Sequence, residues 1–450
     1  MSRIRIIITI IVVVLTTLLT GCTGKEPNEI AYVVALGIDS TDDDNYKITI
    51  QYANTTQISG GASESGGKAG SEIVDNVTIE APNIYAGVGL ANNIVSKSFS
   101  MSHAKLIVFS KEIAEKGVKD MIETLVRSEE IRPDVFIAVA NTTANDYLTS
   151  VNPEMEVNPA QYYQLIYQKN QLVGIPDGQL REFFTGLYTD NYDSILPVAG
   201  VIEGAGGNSQ NDDKGQSKDG QNEGSEGSSE SLDSFESKSS DDKDENEKEK
   251  DAEKNTSKYE YDIKNYVGGE TAIEKKNKAE AIGAAVFEKD KMVGELGEVE
   301  TEICKILKGD YTYSYLTYYN NDTPDIPITV KTTQQKKPKY KIDTDKKTVD
   351  IELYIESDLY SLPADYNVEN KIEDFERDVA NYTSSACTEF INNFTKKYNS
   401  DILKLNEKVK YKFLTNNQYN WFKKNVGWSE YKFSVCTNFK VRRTGLIVRK

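Results

Sequence analysis

Histidine is almost missing from this chain: His103 is the single one in 450 residues. A histidine-based zinc site needs two or three imidazoles, so that class is excluded. Any Ser-His-Asp or Cys-His arrangement would have to use His103 itself. Cysteine is scarce too. Cys22, Cys304, Cys387 and Cys436 are the four, and none forms a CxxC pair, which argues against a zinc ribbon or a thioredoxin-type redox centre. If Cys22 is consumed by an attachment, an odd number remains. Cys304, Cys387 and Cys436 therefore read as small buried hydrophobes rather than as a disulfide framework. Neither GxSxG nor HExxH occurs, which leaves an extracellular hydrolase without its usual machinery. Positive charge is short: 53 Lys and Arg face 71 Asp and Glu, a net of −18. That balance speaks against a nucleic-acid binder, whose affinity comes from clustered cations. It also speaks against adhesion to an anionic membrane through charge alone.

What is present begins at the N-terminus, "MSRIRIIITIIVVVLTTLLTGC". Arg3 and Arg5 form a basic start, and Ile6 to Leu19 an apolar run of 14 residues. That run is too short to cross roughly 30 Å of hydrocarbon comfortably and fits a secretory signal peptide. Leu19-Thr20-Gly21-Cys22 has the form of a bacterial lipobox: apolar, small, small, cysteine. Residues 1–21 read as a lipoprotein signal peptide, cleaved between Gly21 and Cys22, with S-diacylglycerol and an N-acyl chain on Cys22. Each buried methylene of such an anchor contributes about 0.8 kcal/mol, so more than one chain holds stably where one would be marginal. Export makes ATP- or NAD-dependent chemistry improbable, and neither a cofactor nor a metal is expected.

The full 450-residue chain is 38% hydrophobic and 10% aromatic, with 27 tyrosines, enough apolar surface for genuine cores. Its length suits two to three domains. Between Glu203 and Lys258 the composition turns to Gly, Ser, Asp, Glu and Lys, with 17 acids against 8 lysines. This stretch reads as a disordered, self-repelling linker, and the Gly/Ser-rich residues 59–71 read as a smaller flexible loop. The expected architecture is α+β: an N-terminal domain over 22–202, the linker over 203–258, and a C-terminal region over 259–450, either one domain or two divided near 361. Each part should hold mainly antiparallel or mixed sheets packed by helices.

In the N-terminal part, "EIAYVVALGID" and "NYKITIQYA" read as a hairpin turning at "STDDDN". That acidic turn lacks the glycine and terminal glutamate of an EF-hand, so an ordinary turn is expected. Gly87 and Gly89 form a lone GxG on the helical stretch "NIYAGVGLANNIV", read as close helix packing rather than a phosphate loop. "HAKLIVFS" and "DVFIAVAN" read as strands, with His103 in a structural role at the start of the first. "KEIAEKGVKDMIETLVRS", "PAQYYQLIYQKN" and "DGQLREFFTGLYT" read as helices. In the C-terminal part, "AIGAAVFEKDKMVGEL" reads as a hairpin and "GEVETEICKILKG" as a helix. "DIPITVKTT" and "KPKYKIDTDKKTVDIELYIES" read as a meander. A long amphipathic helix is expected from Val368 to Tyr398, its stripe running Ile372, Phe375, Val379, Tyr382, Ala386, Phe390, Phe394 and Tyr398. The strand "EYKFSVCTNFKVRR" closes the chain.

The ordered series of the lipobox, "EIAYVVALGID", "SHAKLIVFSKEIAEKGVKDMIETLVRSEEIRPDVFIAVA", "AAVFEKDKMVGELGEVET", "SDILKLNEKVK" and "WFKKNVGWSEYKFSVCTNFKVRRTG" resembles the Ger(x)C spore-germination lipoproteins, the C subunits of nutrient germinant receptors. The resemblance implies a non-enzymatic protein needed for nutrient-triggered germination. It implies lipid anchoring on the outer face of the spore inner membrane, with a polytopic A subunit and a transporter-like B subunit as partners. It implies no ligand residues for this subunit. The alternative is a solute-binding lipoprotein of a membrane transporter, which would show two lobes of repeated βαβ units about a hinge.

Overall fold

The fold is taken from a computed structural model, which describes residues 3–9, 29–43, 45–53, 74–153, 156, 158–168, 174–202, 265–271, 277–319, 327–361, 371–425 and 427–444. The lipobox with Gly21 and Cys22, the Gly/Ser-rich residues 59–71 and the acidic stretch 203–258 lie outside the described residues. Residues 3–9 are helical, and among the described residues no helix is long and apolar enough to cross a membrane.

The chain is α+β, built on two sheets. The first holds β1 (Ile30–Ser40), β2 (Tyr46–Ala53), β3 (Val74–Ala81), β4 (Ser98–Ser100), β5 (Leu106–Ser110), β6 (Phe136–Ala140), β7 (Ile195–Val201), β8 (Ala279–Glu288) and β9 (Lys291–Leu296). Its order is β3-β2-β1-β5-β6-β7-β8-β9, with β4 beside the start of β1. The inner strands β1, β5, β6 and β7 run parallel, and the flanking strands are antiparallel. All five residues of β5 and of β6 are buried, as parallel strands covered on both faces require. Edge strand β3 instead alternates along most of its length.

Helices α1 (Ile84–Ala91), α2 (Lys111–Lys116), α3 (Lys119–Val126), α4 (Ala144–Ser150), α5 (Pro159–Gln168) and α6 (Leu180–Thr189) pack on this sheet. One face buries Leu36, Ile38, Phe109, Ile122 and Phe183. The other buries Tyr147, Tyr163 and Tyr167. The hydroxyls of this tyrosine layer are satisfied internally, Tyr163 donating to Gln51 at 2.5 Å and Tyr147 sharing a 2.9 Å bond with Tyr167.

Several expectations need correction here. The stretch from Lys111 to Ser128 forms two helices rather than one. Gly117, at φ 123°, breaks it, and Val118 N–H then donates to Asp290 O at 3.0 Å in the β8–β9 turn. A side chain at Gly117 would meet Asp290 Oδ2 at 2.7 Å, so glycine suits both the backbone angle and the close approach. His103 does not open a strand; it is exposed in a turn ahead of Leu106. The connections through helices between β5, β6 and β7 are parallel crossovers, the parallel part of the mixed sheet that was expected, though the crossovers themselves were not read from the sequence. Solvent-sided alternation is lost in doubly covered strands, so the pattern that signals a crossover core is weak.

Strands β8 and β9 lie C-terminal to the acidic stretch yet complete the first sheet. Val201 pairs with Ala279, so the two ends of the intervening stretch meet at one strand pair. Residues 265–271 pack back over β7. The backbones approach so closely that a Cβ on Gly200 would sit 2.1 Å from the carbonyl carbon of Gly268.

The second sheet holds β10 (Tyr313–Tyr319), β11 (Pro327–Gln334), β12 (Lys339–Asp343), β13 (Thr348–Ser361) and β14 (Lys432–Arg443). Strands β11 and β12 pair along the two ends of β13, and β14 runs parallel to β13 on its other side. Helices α7 (Glu298–Lys308), α8 (Ile372–Lys397), α9 (Leu405–Val409) and α10 (Asn416–Asn425) accompany it.

Helix α8 lies along β14 and caps its open edge. Asn392 both accepts from Phe433 N–H (3.1 Å) and donates to Phe433 O (3.0 Å). Thr388 Oγ1 accepts from Val435 N–H at 3.0 Å, Ser384 Oγ from Thr437 N–H at 2.9 Å, and Glu376 Oε1 from Val441 N–H at 2.9 Å. The match is geometric. Four helical residues rise about 6.0 Å and two strand residues about 6.8 Å, so an i, i+4 polar row meets alternate strand amides. An open edge that would otherwise invite pairing is thereby closed. The buried stripe of α8 accordingly departs from the expected one. Thr383 and Cys387 are buried where Tyr382 and Ala386 were expected, and the latter two are half-buried. The long-helix unit and the strands before Ser361 thus share one layer.

Candidate functional site

Among the described residues, no group of three or more His, Cys, Asp or Glu could hold a metal ion. His103 Nδ1 lies 3.0 Å from Ser102 Oγ, and its ring meets Tyr32 edge-on at 4.6 Å. Among the described residues no carboxylate hydrogen-bonds that ring. Cys304 and Cys387 are free and buried, as expected of small hydrophobes, and burial pushes their thiols up to about 11 and about 12. Cys436 corrects that expectation: it is free but exposed, on the outward face of β14. Gly87 packs as expected, since a Cβ there would lie 2.5 Å from Ile48 Cδ1, whereas Gly89 faces open space. In the acidic stretch "STDDDN" the chain turns at Asp42 and Asp43, and Thr41 Oγ1 donates to Asn45 O at 2.9 Å; Asp44 lies outside the described residues.

A dense polar constellation lies where the segment after α8 meets the first sheet. Asp401 is buried. Its carboxylate accepts from the N–H groups of Leu405 and Asn406, both at 2.8 Å, and so caps α9. Its own N–H donates to Asp193 Oδ2 at 2.8 Å, and its carbonyl accepts from Asp193 N–H at 3.1 Å. Asp193 Oδ1 accepts from Lys289 N–H at 2.8 Å in the β8–β9 turn. Ser400 Oγ donates to Phe287 O, and Asn399 Nδ2 to Glu288 Oε1. The tripeptide Asn399-Ser400-Asp401 thus clips onto the start of β7 and the end of β8 together.

Burial pushes the Asp401 carboxyl up to about 7, outweighing its two backbone amides, and raises Asp193 in the same direction. Lys404, at φ 57°, pairs with Glu182 and lies 4.2 Å over the Tyr192 ring. Asn406 Oδ1 accepts from Trp428 Nε1, and Asn191 Oδ1 from Tyr419 OH and Lys423 Nζ. Tyr192, Asp193, Asp401, Asn406, Lys423 and Trp428 help to wall a polar cleft of about 500 Å³. The arrangement positions no nucleophile beside a base; it fastens the C-terminal segment to the strands that flank the acidic stretch.

Asp193, Asp401 and Asn406 were not singled out from the sequence. The available signal was local: an Asp four residues before Leu405, in "SDILKLNEK", has the form of a helix cap. Its contact with Asp193 crosses 208 residues and has no local signature.

Comparison with known proteins finds two family models. Residues 24–201 match the spore germination protein N-terminal domain. Residues 282–445 match the spore germination B3/GerAC-like C-terminal domain. Spore germination protein KC of Bacillus subtilis (strain 168) is 26% identical over 176 residues, 36% of this chain and 43% of that protein. The putative spore germination protein YfkR of the same organism is 28% identical over 145 residues, 32% of this chain and 37% of its own length. Spore germination protein GerQC of Bacillus cereus is 27% identical over 104 residues, 23% and 29% of the two chains. These matches span less than half the length of each relative. A crystal structure of the GerBC protein aligns over 90% of this chain and 96% of its own, at 15% identity and a TM-score of 0.48.

Proposed function

Because the chain belongs to the GerAC family of spore germination proteins, we propose that it is the lipid-anchored, non-enzymatic C subunit of a nutrient germinant receptor. It acts at the outer face of the spore inner membrane, held there through Cys22, beside a polytopic A subunit and a transporter-like B subunit. The observation that carries this reading is one of order. The N-terminal family match begins at residue 24, two positions after the lipobox cysteine, and the C-terminal match follows from residue 282. An anchored receptor domain would have this layout: leader, lipid cysteine, and then the folded region after a short tether.

In this reading the acidic stretch 203–258 is a solvated insertion between the two matched regions. Its flanks pair as neighbouring strands at Val201 and Ala279, so it has no distance to bridge. The clip formed by Asn399, Ser400 and Asp401 keeps the C-terminal segment in register with the first sheet, and the receptor subunit acts as one lever rather than as two loosely tied halves.

Metabolic labelling with an alkyne-bearing fatty acid tests the anchor. Labelled wild-type protein in the membrane fraction, and an unlabelled Cys22→Ser variant released from it, are the expected results. Equal labelling of the two would overturn the assignment of Cys22.

A further inference from the structure

The segment from Lys404 to Asn425, spanning α9 and α10, runs against the character of the whole molecule. It carries six lysines and one acid, Glu407, in a chain of net charge −18. It also exposes three large apolar side chains: Leu414 is 95% exposed, Tyr411 78% and Trp421 69%. Their neighbours Phe413, Tyr419, Phe422 and Trp428 are stacked on one another beneath, with ring centroids 4.9–6.1 Å apart. The exposed residues therefore sit on a built platform. Lys410 and Lys424 are exposed beside them, and among the described residues neither forms an ion pair.

Topology sets where this platform lies. β1, β5, β6 and β7 are parallel, so all four begin at one edge of the sheet. The register aligns Ala35 with Leu106 and Leu106 with Phe136, and the pair Val139–Val198 brings Ile195 to the same level. Ile30 precedes Ala35 by five residues and projects about 16 Å further out on that side. Helix α10 is tied to the same edge. Lys423 Nζ donates to Thr189 O at 3.1 Å and to Asn191 Oδ1 at 3.2 Å, just before β7 begins. Helix α10, with Trp421, Lys423 and Lys424, thus lies at the end of the molecule where β1 starts; the adjoining stretch with Tyr411 and Leu414 is held to β12, where Lys412 Nζ donates to Ile342 O.

We propose that the α9–α10 platform, with Leu414, Trp421, Tyr411, Lys410 and Lys424, is a membrane-docking surface that inserts into the headgroup layer of an anionic bilayer. The charge is complementary to anionic lipid, which attracts lysines lying near its surface. Trp and Tyr are the side chains favoured at the interface, and lysine stems cover apolar surface while their ammonium groups reach phosphate. A local cluster of this kind binds even though the net charge of the chain does not favour it. The proposal rests on the anchored-subunit reading in one respect: a tether of eight residues from Cys22 to Ile30 reaches at most about 29 Å, which keeps this end near the bilayer.

The test separates the platform from the lipid. The mature chain from residue 22, carrying Cys22→Ser and so no acyl group, is mixed with vesicles of phosphatidylglycerol and phosphatidylcholine, or of phosphatidylcholine alone. Co-sedimentation with the anionic vesicles only, weakened by salt and accompanied by a blue shift of Trp421 emission, is the expected result. Trp428 is buried, so the shift reports Trp421. A triple Leu414→Ser, Trp421→Ser, Lys424→Glu variant with unchanged circular dichroism should bind at least about tenfold more weakly. Failure of the wild-type chain to bind, or equal binding by the variant, overturns the proposal. So does a concentration-dependent dimer that the variant abolishes, or lipid-free capture of a membrane receptor subunit through these residues. Loss of fatty-acid labelling at Cys22 would touch the anchor alone and leave this experiment intact.

Discussion

Asp193 and Asp401, 208 positions apart, hold each other through two hydrogen bonds: Asp401 N–H to Asp193 Oδ2 at 2.8 Å and Asp193 N–H to Asp401 O at 3.1 Å. Each donates its amide to the other; the Asp193 carboxylate also accepts from Lys289 N–H, and the Asp401 carboxylate from the N–H groups of Leu405 and Asn406. The start of β7, the β8–β9 turn and the cap of α9 meet at this pair.

Replacing Asp401 by Ala removes two buried acceptors and leaves the N–H groups of Leu405 and Asn406 without partners. The expected cost is about 1–3 kcal/mol of unfolding free energy. Equilibrium denaturant titration measures it. A change within error would mean that water replaces the carboxylate.

The same residue sets a pH dependence. Its carboxyl is raised in the folded state from the ordinary 3.8 to about 7, so the native protein binds a proton that the unfolded chain has already released. Stability from this group is present below the unfolded value and is lost as pH rises through the folded one. Asp193, raised in the same direction, adds to that slope. Unfolding free energy should therefore fall as pH rises towards about 7, and should fall less in Asp401→Asn, which stays neutral. Parallel curves for the two proteins would contradict the assignment.

Asn392 answers both the N–H and the carbonyl of Phe433 on the open edge of β14. Asn392→Ala should cost about 1–3 kcal/mol and raise the tendency to aggregate through that edge. Denaturation together with light scattering checks both. Unchanged values would show that the edge is closed without it.

The thiols should divide by exposure. In the native Cys22→Ser chain, a thiol reagent should label Cys436 quickly and leave Cys304 and Cys387 unreacted until denaturant is added. Mass spectrometry after brief labelling identifies the sites. Rapid labelling of Cys387 would mean that α8 does not stay packed on its sheet.

Much of the fold was legible because its signals are local. The β1–β2 and β8–β9 hairpins follow from apolar runs, with alternation in β2, broken at acidic or charged turns, and α8 from a stripe of period 3.6. The stripe is rotated slightly, towards Thr383 and Cys387, because the facing edge of β14 demands polar partners as well as apolar ones. Strand β7 gave no signal, since Pro197 and Gly200 punctuate it as a loop would be punctuated. The parallel crossovers and the Asp193–Asp401 contact arise from chain reversal over long separations, which no window of sequence reports. Of the candidate site, the cap at Asp401 was readable; its partner across the molecule was not.

The most direct measurement of the central claim is affinity purification of the tagged, lipidated protein from spore inner membranes, followed by mass spectrometry. Co-recovery of a polytopic subunit and a transporter-like subunit in comparable amounts is the predicted result. Recovery of the protein from those membranes without either would contradict its place in a germinant receptor.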